Sequence, residues 1–319
     1  MKKLIILPLL LITFMSNSQE MKNNELLNPS YTGPIMSDPL LEDALVGSFR
    51  DDDKAGTAKE PVDYVNTYIG SIAPLLQTTK PYVQLPHGVM AVSPETDPAK
   101  VYDKYMATRI QGFSMAGFLI MASTGSVQTD PAKFASLFDH DIEIATPYYH
   151  AVKLETYNIN AEYTVARHAA HYRFDFPAGE SAHLLIASRN PGTLEVAGPA
   201  TVTGYDEFGG TPFYFHAEFS KPFAAFSTWN NTEITPGVKQ QSGARIGFAA
   251  DYTVERSTRI EVRVGVSYIS VEQARANLRS EIPDWNFDHI MSAAREEWNN
   301  ALGRIYISGG TEEERTIFY

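Results

Sequence analysis

Between Tyr172 and Val266, apolar side chains recur at every second position. Tyr172, Phe174 and Phe176 alternate with Arg173 and Asp175. Phe213, Phe215, Ala217 and Phe219 alternate with Tyr214, His216 and Glu218, and Ile260, Val262, Val264 and Val266 alternate with Glu261, Arg263 and Gly265. Successive side chains of a strand point to opposite faces, so this period commits each segment to one packed face and one wet face. Turn formers separate the runs: Pro177-Ala178-Gly179, Asn190-Pro191-Gly192, Gly209-Gly210 and Pro236-Gly237. Many strands with regular turns and no helical pattern between them predict a mainly β fold, a large antiparallel β-sandwich over residues 61–270. Its size calls for more strands than an immunoglobulin domain holds.

After Ser270 the period lengthens. Ser270 and Gln273 form a capping-box pattern ahead of VEQARANLRSE, and Pro283 closes that helix. A second helix starts near Asn286, with Phe287, Ile290, Met291, Ala294, Trp298 and Leu302 on one stripe and Gly303 as its stop. These two helices make a linker over 271–303. Arg304 to Ser308 reads as a short strand, and Gly309-Gly310 breaks it. Thr311 with Glu314 is a second capping-box pattern, and Glu312 to Glu314 suit the positive end of a helix dipole. The sequence stops about two turns into that helix, whereas an isolated helix of fewer than roughly 12 residues is marginal in water. Residues 304–319 therefore read as the opening of a truncated helical domain.

The first 18 residues read as a signal peptide. Lys2 and Lys3 precede the apolar run Leu4 to Met15, and Ser16-Asn17-Ser18 suits cleavage before Gln19. The expectation is export to the periplasm or beyond the cell, with no membrane attachment after cleavage. Residues 19–60 lack periodicity and read as a leader or linker. The run Asp51-Asp52-Asp53 lacks the alternation and glycine turn of an EF-hand and reads as solvated charge. The formal net charge is −12 and no Lys/Arg-rich run occurs, which argues against nucleic acid as a partner. With no cysteine there is no disulfide and no thiolate chemistry.

No GxSxG, HExxH, Walker A or dinucleotide glycine motif is present. His168 and His171 have a spacing that could share a metal on a helix, but Ala169-Ala170 reads as a turn before a strand and no third ligand is evident. In FDHDIEIATP the carboxylates of Asp139, Asp141 and Glu143 crowd together, and Phe138, Ile142 and Ile144 suggest a strand with its polar groups outward. A weak calcium site is the alternative. Trp229, Trp285 and Trp298 could stack on sugar rings. Their positions favour core for Trp298, the end of a strand for Trp229 and a brace at the helix entry for Trp285.

Three stretches stand out together: VDYVNTYIGS (62–71) with PYVQLPHGVMAVSPETDP (81–98), HYRFDFPAGE (171–180), and the segment from Arg263 to Tyr319 with its Pro-Asp-Trp, Trp-Asn-x-Ala-Leu-Gly and Gly-Gly-Thr-Glu-Glu elements. Together they resemble glycoside hydrolase family 92, largely bacterial exo-acting α-mannosidases. The resemblance runs from about residue 61 to the end. It implies a β-sandwich joined by two helices to an (α/α)6 barrel whose first helix begins at Thr311. It also implies a calcium-dependent, inverting exo-α-mannosidase acting on mannose-containing glycans. The catalytic carboxyls and most calcium contacts would belong to the barrel, so no catalytic or metal residue is carried over and the chain by itself is expected to be inactive. Its sandwich would shape the substrate pocket, with His87, Phe113 and Ser114 as candidate lining residues.

Two segments depart from the family pattern. The family's Gly-Phe-Ser-His reads Gly112-Phe113-Ser114-Met115 here, and the loop after Ile69-Gly70-Ser71 is the apolar Ile72 to Leu76. Both suggest a divergent specificity or lost activity. A stand-alone carbohydrate-binding or interaction sandwich, or an inactive gene fragment, remain the alternative readings.

Overall fold

The computed structural model describes residues 59–73, 78–96, 104–115, 117–179 and 181–319. The signal-peptide and leader readings over residues 1–58, the Asp51 to Asp53 run and loop positions 74–77 lie outside these residues.

Nineteen strands fall within the described residues. In chain order they begin with β1 (Val83–Gln84), β2 (Ala91–Val92), β3 (Pro94–Thr96), β4 (Arg109–Met115), β5 (Phe118–Thr124) and β6 (Ser136–Leu137). Next come β7 (Ile144–Ala145), β8 (Tyr149–Leu154), β9 (Ile159–Val165), β10 (Ala169–Phe176), β11 (Ser181–Ser188), β12 (Gly192–Gly198) and β13 (Thr201–Phe208). The last are β14 (Thr211–Phe219), β15 (Ala225–Asn230), β16 (Glu233–Pro236), β17 (Gln240–Gly243), β18 (Ile246–Thr253) and β19 (Thr258–Ser267). One sheet has nine strands in the order β17-β12-β13-β14-β19-β10-β9-β8-β7. The other has eight, β16-β15-β18-β11-β5-β4-β3 with β6 beside β4. Strands β1 and β2 form a separate pair, and Val83 and Val92 face each other in it.

The period-two pattern becomes the core. Tyr172, Phe174, Phe215, Ile260, Val262 and Val264 are all buried. Across the sandwich Phe118 meets Phe215 at 4.9 Å between ring centroids, and Phe113 meets Phe174 at 6.4 Å. The fold is the antiparallel sandwich that the alternation predicts.

A short helix α1 (Pro131–Phe134) lies on the loop after β5, and three more helices follow the sandwich: α2 (Val271–Glu281), α3 (Phe287–Leu302) and α4 (Glu312–Phe318). Their caps are the expected residues. Ser270 accepts from Gln273 N, Asn286 from His289 N, and Thr311 with Glu314 closes a full capping box. At α2 the box is only half made, because the Gln273 side chain turns forward to donate to Asn277 Oδ1 at 2.8 Å. No helix among the described residues is long and apolar enough to cross a membrane.

Helix α2 buries Ala274 and Leu278 against β19 and β14. A Cβ at Gly265 would lie 2.1 Å from the Ala274 carbonyl oxygen and 2.7 Å from Leu278 Cβ, so only glycine lets the helix backbone settle on the strand. Helix α3 inserts Phe287, Ile290 and Ala294, and its Trp298 Nε1 donates to Gln84 O at 2.9 Å. Arg173 lies over the Phe287 ring at 3.8 Å and Arg263 over the Trp285 ring at 4.2 Å. Trp285 thus braces the helix entry, and Trp229 is a fully buried core residue on β15.

Three sequence expectations are corrected. Ala169 and Ala170 are not a turn but open β10, paired with Gly265 and Val264. Residues 304–308 form no strand; turns and irregular backbone connect α3 to Gly309. FDHDIEIATP is not a continuous strand, because Asp139 accepts from Asp141 N and starts a 3-10 turn over His140–Ile142.

The Gly265 contact gives a measurable consequence. Gly265→Ala forces α2 off the sheet and should destabilise the protein by about 1–3 kcal/mol. Denaturant unfolding followed by tryptophan fluorescence reads the shift in midpoint, and an unchanged midpoint would count against the close approach.

Candidate functional site

The structure gathers polar side chains at one margin of the sandwich. There the loop Tyr68 to Ser71, Lys80, strand β3 and the 3-10 turn at His140 meet around a shallow depression lined by Tyr68, Ser71, Lys80, Thr96, Lys104 and Glu143, among others. Two carboxylates anchor this wall.

Glu143 is the first. Its side chain is 1% exposed. His140 Nδ1 and His150 Nε2 each lie 2.6 Å from its carboxylate, and the Tyr68 hydroxyl donates to it as well. Burial alone would raise the acid's pKa, yet the bonds from both imidazoles and the phenol bring it down to about 2. Burial pulls His140 down, but its bond to Glu143, the charge of that carboxylate and backbone bonds at Tyr105 and Ala107 together leave it raised. Burial first, then the charge of Glu143, pushes the Tyr68 hydroxyl up. Stacked rings hold the imidazoles in place. His140 lies on Tyr105 at 4.8 Å and His150 on Tyr163 at 4.8 Å.

Glu95, on β3, is the second. Lys80 Nζ lies 2.7 Å from both of its oxygens, Arg189 Nη1 lies 3.1 Å away, and Ser93 Oγ donates at 3.1 Å. Ser71 Oγ is buried in the wall and has no hydrogen-bond partner among the described residues. Asn190 Nδ2 donates to Asp206 Oδ2 at 3.0 Å, while Asp206 Oδ1 is buried with no hydrogen-bond partner among the described residues. Burial raises that carboxyl.

A carboxylate with three donors, or one neutralised by two cations, is a poor proton acceptor. The arrangement builds a wall: the carboxylates are spent on fixing it, and so are the Tyr68 hydroxyl and the Lys80 ammonium among the lining groups.

The candidates named from sequence occupy different places. Phe113 is fully buried on β4, 5.2 Å from Tyr163 and 6.2 Å from His150 by ring centroid, so it supports the wall from behind. Ser114 Oγ accepts from Ser93 N at 2.8 Å, next to Glu95. His87 is exposed in the turn between β1 and β2, at φ 60°. Strand β3 brings Gly112 to Ser114 beside the margin of the depression, through the pairings Pro94↔Phe113 and Glu95↔Gly112. Met115 is fully buried and pairs with Phe118 between β4 and β5. A Cβ at Gly117 would lie 1.5 Å from Asp206 Oδ2, so the hairpin turn rests on that carboxylate.

The Tyr68–His140–Glu143–His150 network was missed from sequence. The crowding in FDHDIEIATP was visible, but His150 is seven residues beyond Glu143 and only the β7–β8 hairpin returns it. His168 and His171 do not pair with each other. His168 Nδ1 meets Glu281 at 2.7 Å, and His171 Nε2 meets Glu261 at 2.9 Å. Among the described residues no three His, Cys, Asp or Glu are gathered as a metal would require.

A two-sheet antiparallel sandwich followed by helices is the class to which this fold belongs, and the polar margin lies on the sandwich. The glycosyl hydrolase family 92 N-terminal domain matches residues 64–267, and that family's catalytic domain matches residues 273–319. The chain belongs to glycosyl hydrolase family 92. It resembles the solved structure of a family 92 inverting mannosidase of Bacteroides thetaiotaomicron, with 24% identity and a TM-score of 0.76 over 83% of this chain and 39% of that one. A family 92 α-mannosidase of the same organism, solved with mannoimidazole, gives 24% identity and a TM-score of 0.73 over 82% and 39%. An uncharacterized secreted glycosidase of Arthroderma benhamiae is 28% identical over 54% of this chain and 27% of its own length. The chain thus spans about two fifths of the solved relatives and about a quarter of the curated one.

Glu143 sets the acid response of this wall. Its folded pKa lies near 2, below the unfolded 4.5, so its stabilisation is complete above about pH 4.5 and is lost as pH falls toward 2. Glu143→Gln should cost about 3 kcal/mol at pH 6 and should flatten the stability profile between those pH values. Equal acid slopes in both proteins, by urea unfolding, would refute the assignment.

Proposed function

We propose that this chain is the N-terminal, non-catalytic part of an exported, calcium-dependent, inverting exo-α-mannosidase. The sandwich packs on the catalytic part and shapes one side of a pocket for mannose-containing glycans. The observation that carries this reading is the order of the two family matches along one chain, sandwich first and the start of the catalytic domain directly after it. Phe113 and Ser114 enter this reading as residues behind the pocket wall, and His87 as a candidate in the exposed β1–β2 turn. The basic and apolar start of the sequence, Lys2 to Met15, supports export.

An inverting glycosidase needs one carboxyl to protonate the leaving oxygen and another to activate water, roughly 6.5–9.5 Å apart. Glu143 and Glu95 are held by other partners and suit neither role, so the reading assigns both catalytic carboxyls to the catalytic part. Calcium is assigned there too, because the donor set of the described residues does not fit it. The buried Met115 and the tight β4–β5 hairpin favour a second reading, in which the pocket has left the family's ordinary specificity or lost activity.

Mannose release from α-mannosides, with calcium and with chelator, tests both. The 319-residue chain should release none. A protein that continues through the whole family architecture should release mannose and lose that activity on chelation. Calcium-dependent release by the 319-residue chain would overturn the non-catalytic assignment. Mannose binding by this chain without any hydrolysis by the longer protein would favour a binding module.

A further inference from the structure

Helix α4 has seven residues, below the roughly 12 at which an isolated helix becomes marginal. Its apolar side chains do not enter the sandwich core; Ile317 is 81% exposed and Phe318 48%. The connector before it, residues 304–311, carries no regular structure, Gly309 and Gly310 both sit at positive φ, and it touches the helix through the Tyr319 hydroxyl, which donates to Ile305 O at 3.2 Å, and through Gly309 O. The segment that enters the sandwich holds the helix from its other side.

That segment, residues 59–65, includes a 3-10 turn over Pro61–Tyr64. The Tyr64 ring stacks on Tyr319 at 5.9 Å and an interplanar angle of 22°. Its hydroxyl accepts from Arg315 Nη1 at 3.0 Å, and Arg315 Nε donates to Gly309 O at 3.1 Å. One guanidinium therefore joins the glycine break, the helix and the entering segment. Lys59 also pairs with Glu312, but both side chains are about half exposed or more, so this pair adds little.

On its other side the same segment is fastened to α3. Arg295 reaches Glu60 and lies 2.7 and 2.9 Å from the two oxygens of Asp63. Asn299 Oδ1 accepts from Val62 N at 3.0 Å, and its Nδ2 donates to Glu60 Oε2 at 2.7 Å. Val62 itself is buried. The turn thus has a rigid side against α3 and a lighter side against α4.

We propose that residues 59–64 are a clasp that fixes the orientation of α4 against α3. The direction in which the chain leaves the sandwich is set by the segment that enters it. Tyr64, Arg295 and Arg315 are positioning residues. The consequence for function rests on the reading above. Helix α4 lies within residues 273–319, matched by the family's catalytic domain, so the clasp would orient that part relative to the pocket wall.

Hydrogen–deuterium exchange on the 319-residue chain tests the clasp. In Tyr64→Ala the amides from Arg315 to Tyr319 should exchange about three- to tenfold faster, the effect of losing an aromatic pair with its hydrogen bond. The amides of β10 and β19 should keep their rates. Arg315→Met, which leaves residues 59–64 untouched, should give the same local acceleration. Tyr64→Phe keeps the ring stack and should give a smaller one. Unchanged exchange of α4 in both Tyr64→Ala and Arg315→Met overturns the proposal, as does acceleration spread evenly through the sandwich. A longer protein without mannosidase activity would count against the functional reading and leave the exchange result standing, so the two fail separately.

Discussion

The contact between β19 and α2 is the one on which the rest of the molecule depends. Strand β19 lies inside the nine-stranded sheet, between β14 and β10. Its inner face supplies Ile260, Val262, Val264 and Val266 to the core, and its outer face receives α2 at Gly265. One strand therefore joins the packed interior to everything C-terminal. The two cations beside it, Arg263 and Arg173, cover the seam by lying on Trp285 and Phe287. The seam is thereby closed by directional contacts as well as by apolar area, which fixes where α3 lies across the sheet.

The pocket margin follows a different logic. Its carboxylates are bound by their own neighbours, two imidazoles and a phenol on Glu143, an ammonium and a guanidinium on Glu95. Such groups build a wall of defined shape and have little capacity left to move protons. A wall without acid–base freedom fits a domain that shapes a pocket for chemistry done elsewhere. The buried Met115 adds a restriction of another kind. A side chain inside the core cannot reach a ligand, so Met115 contributes packing and no polar contact to this margin.

The helices extend this plan outward. Helix α3 is tied to the sandwich through Trp298 at one place and to the entering segment through Arg295 and Asn299 at another. Helix α4 has few apolar contacts of its own and is placed mainly by hydrogen bonding and ring stacking. Stability decreases along this path, from core strand to docked helix to clasped helix, as burial gives way to exposed polar contacts.

The sandwich and the helix boundaries were legible in the sequence because they rest on local rules. Alternation at Tyr172 to Phe176, Phe213 to Phe219 and Ile260 to Val266 needs only the two-residue period of a strand. The caps at Ser270, Asn286 and Thr311 need only a side chain and a backbone amide three residues on. The resemblance to family 92 was legible for a similar reason, since its motifs are contiguous. The places where local reading failed are those decided at a distance. Ala169-Ala170 reads as a turn until β19 supplies its hydrogen bonds, and Arg304 to Ser308 reads as a strand but finds no partner to pair with. Glu143 reads as an outward carboxylate until the 3-10 turn and the returning β8 strand surround it with His140, His150 and Tyr68. Phe113, named for the pocket, is taken by the core because its neighbours across the sheets are aromatic. Sequence alone determined the period, the caps and the family, because each is written within a few residues. The tertiary structure decided which polar groups face the depression and what holds α4, because those partners are brought together only when the two sheets close and the chain's entry meets its exit.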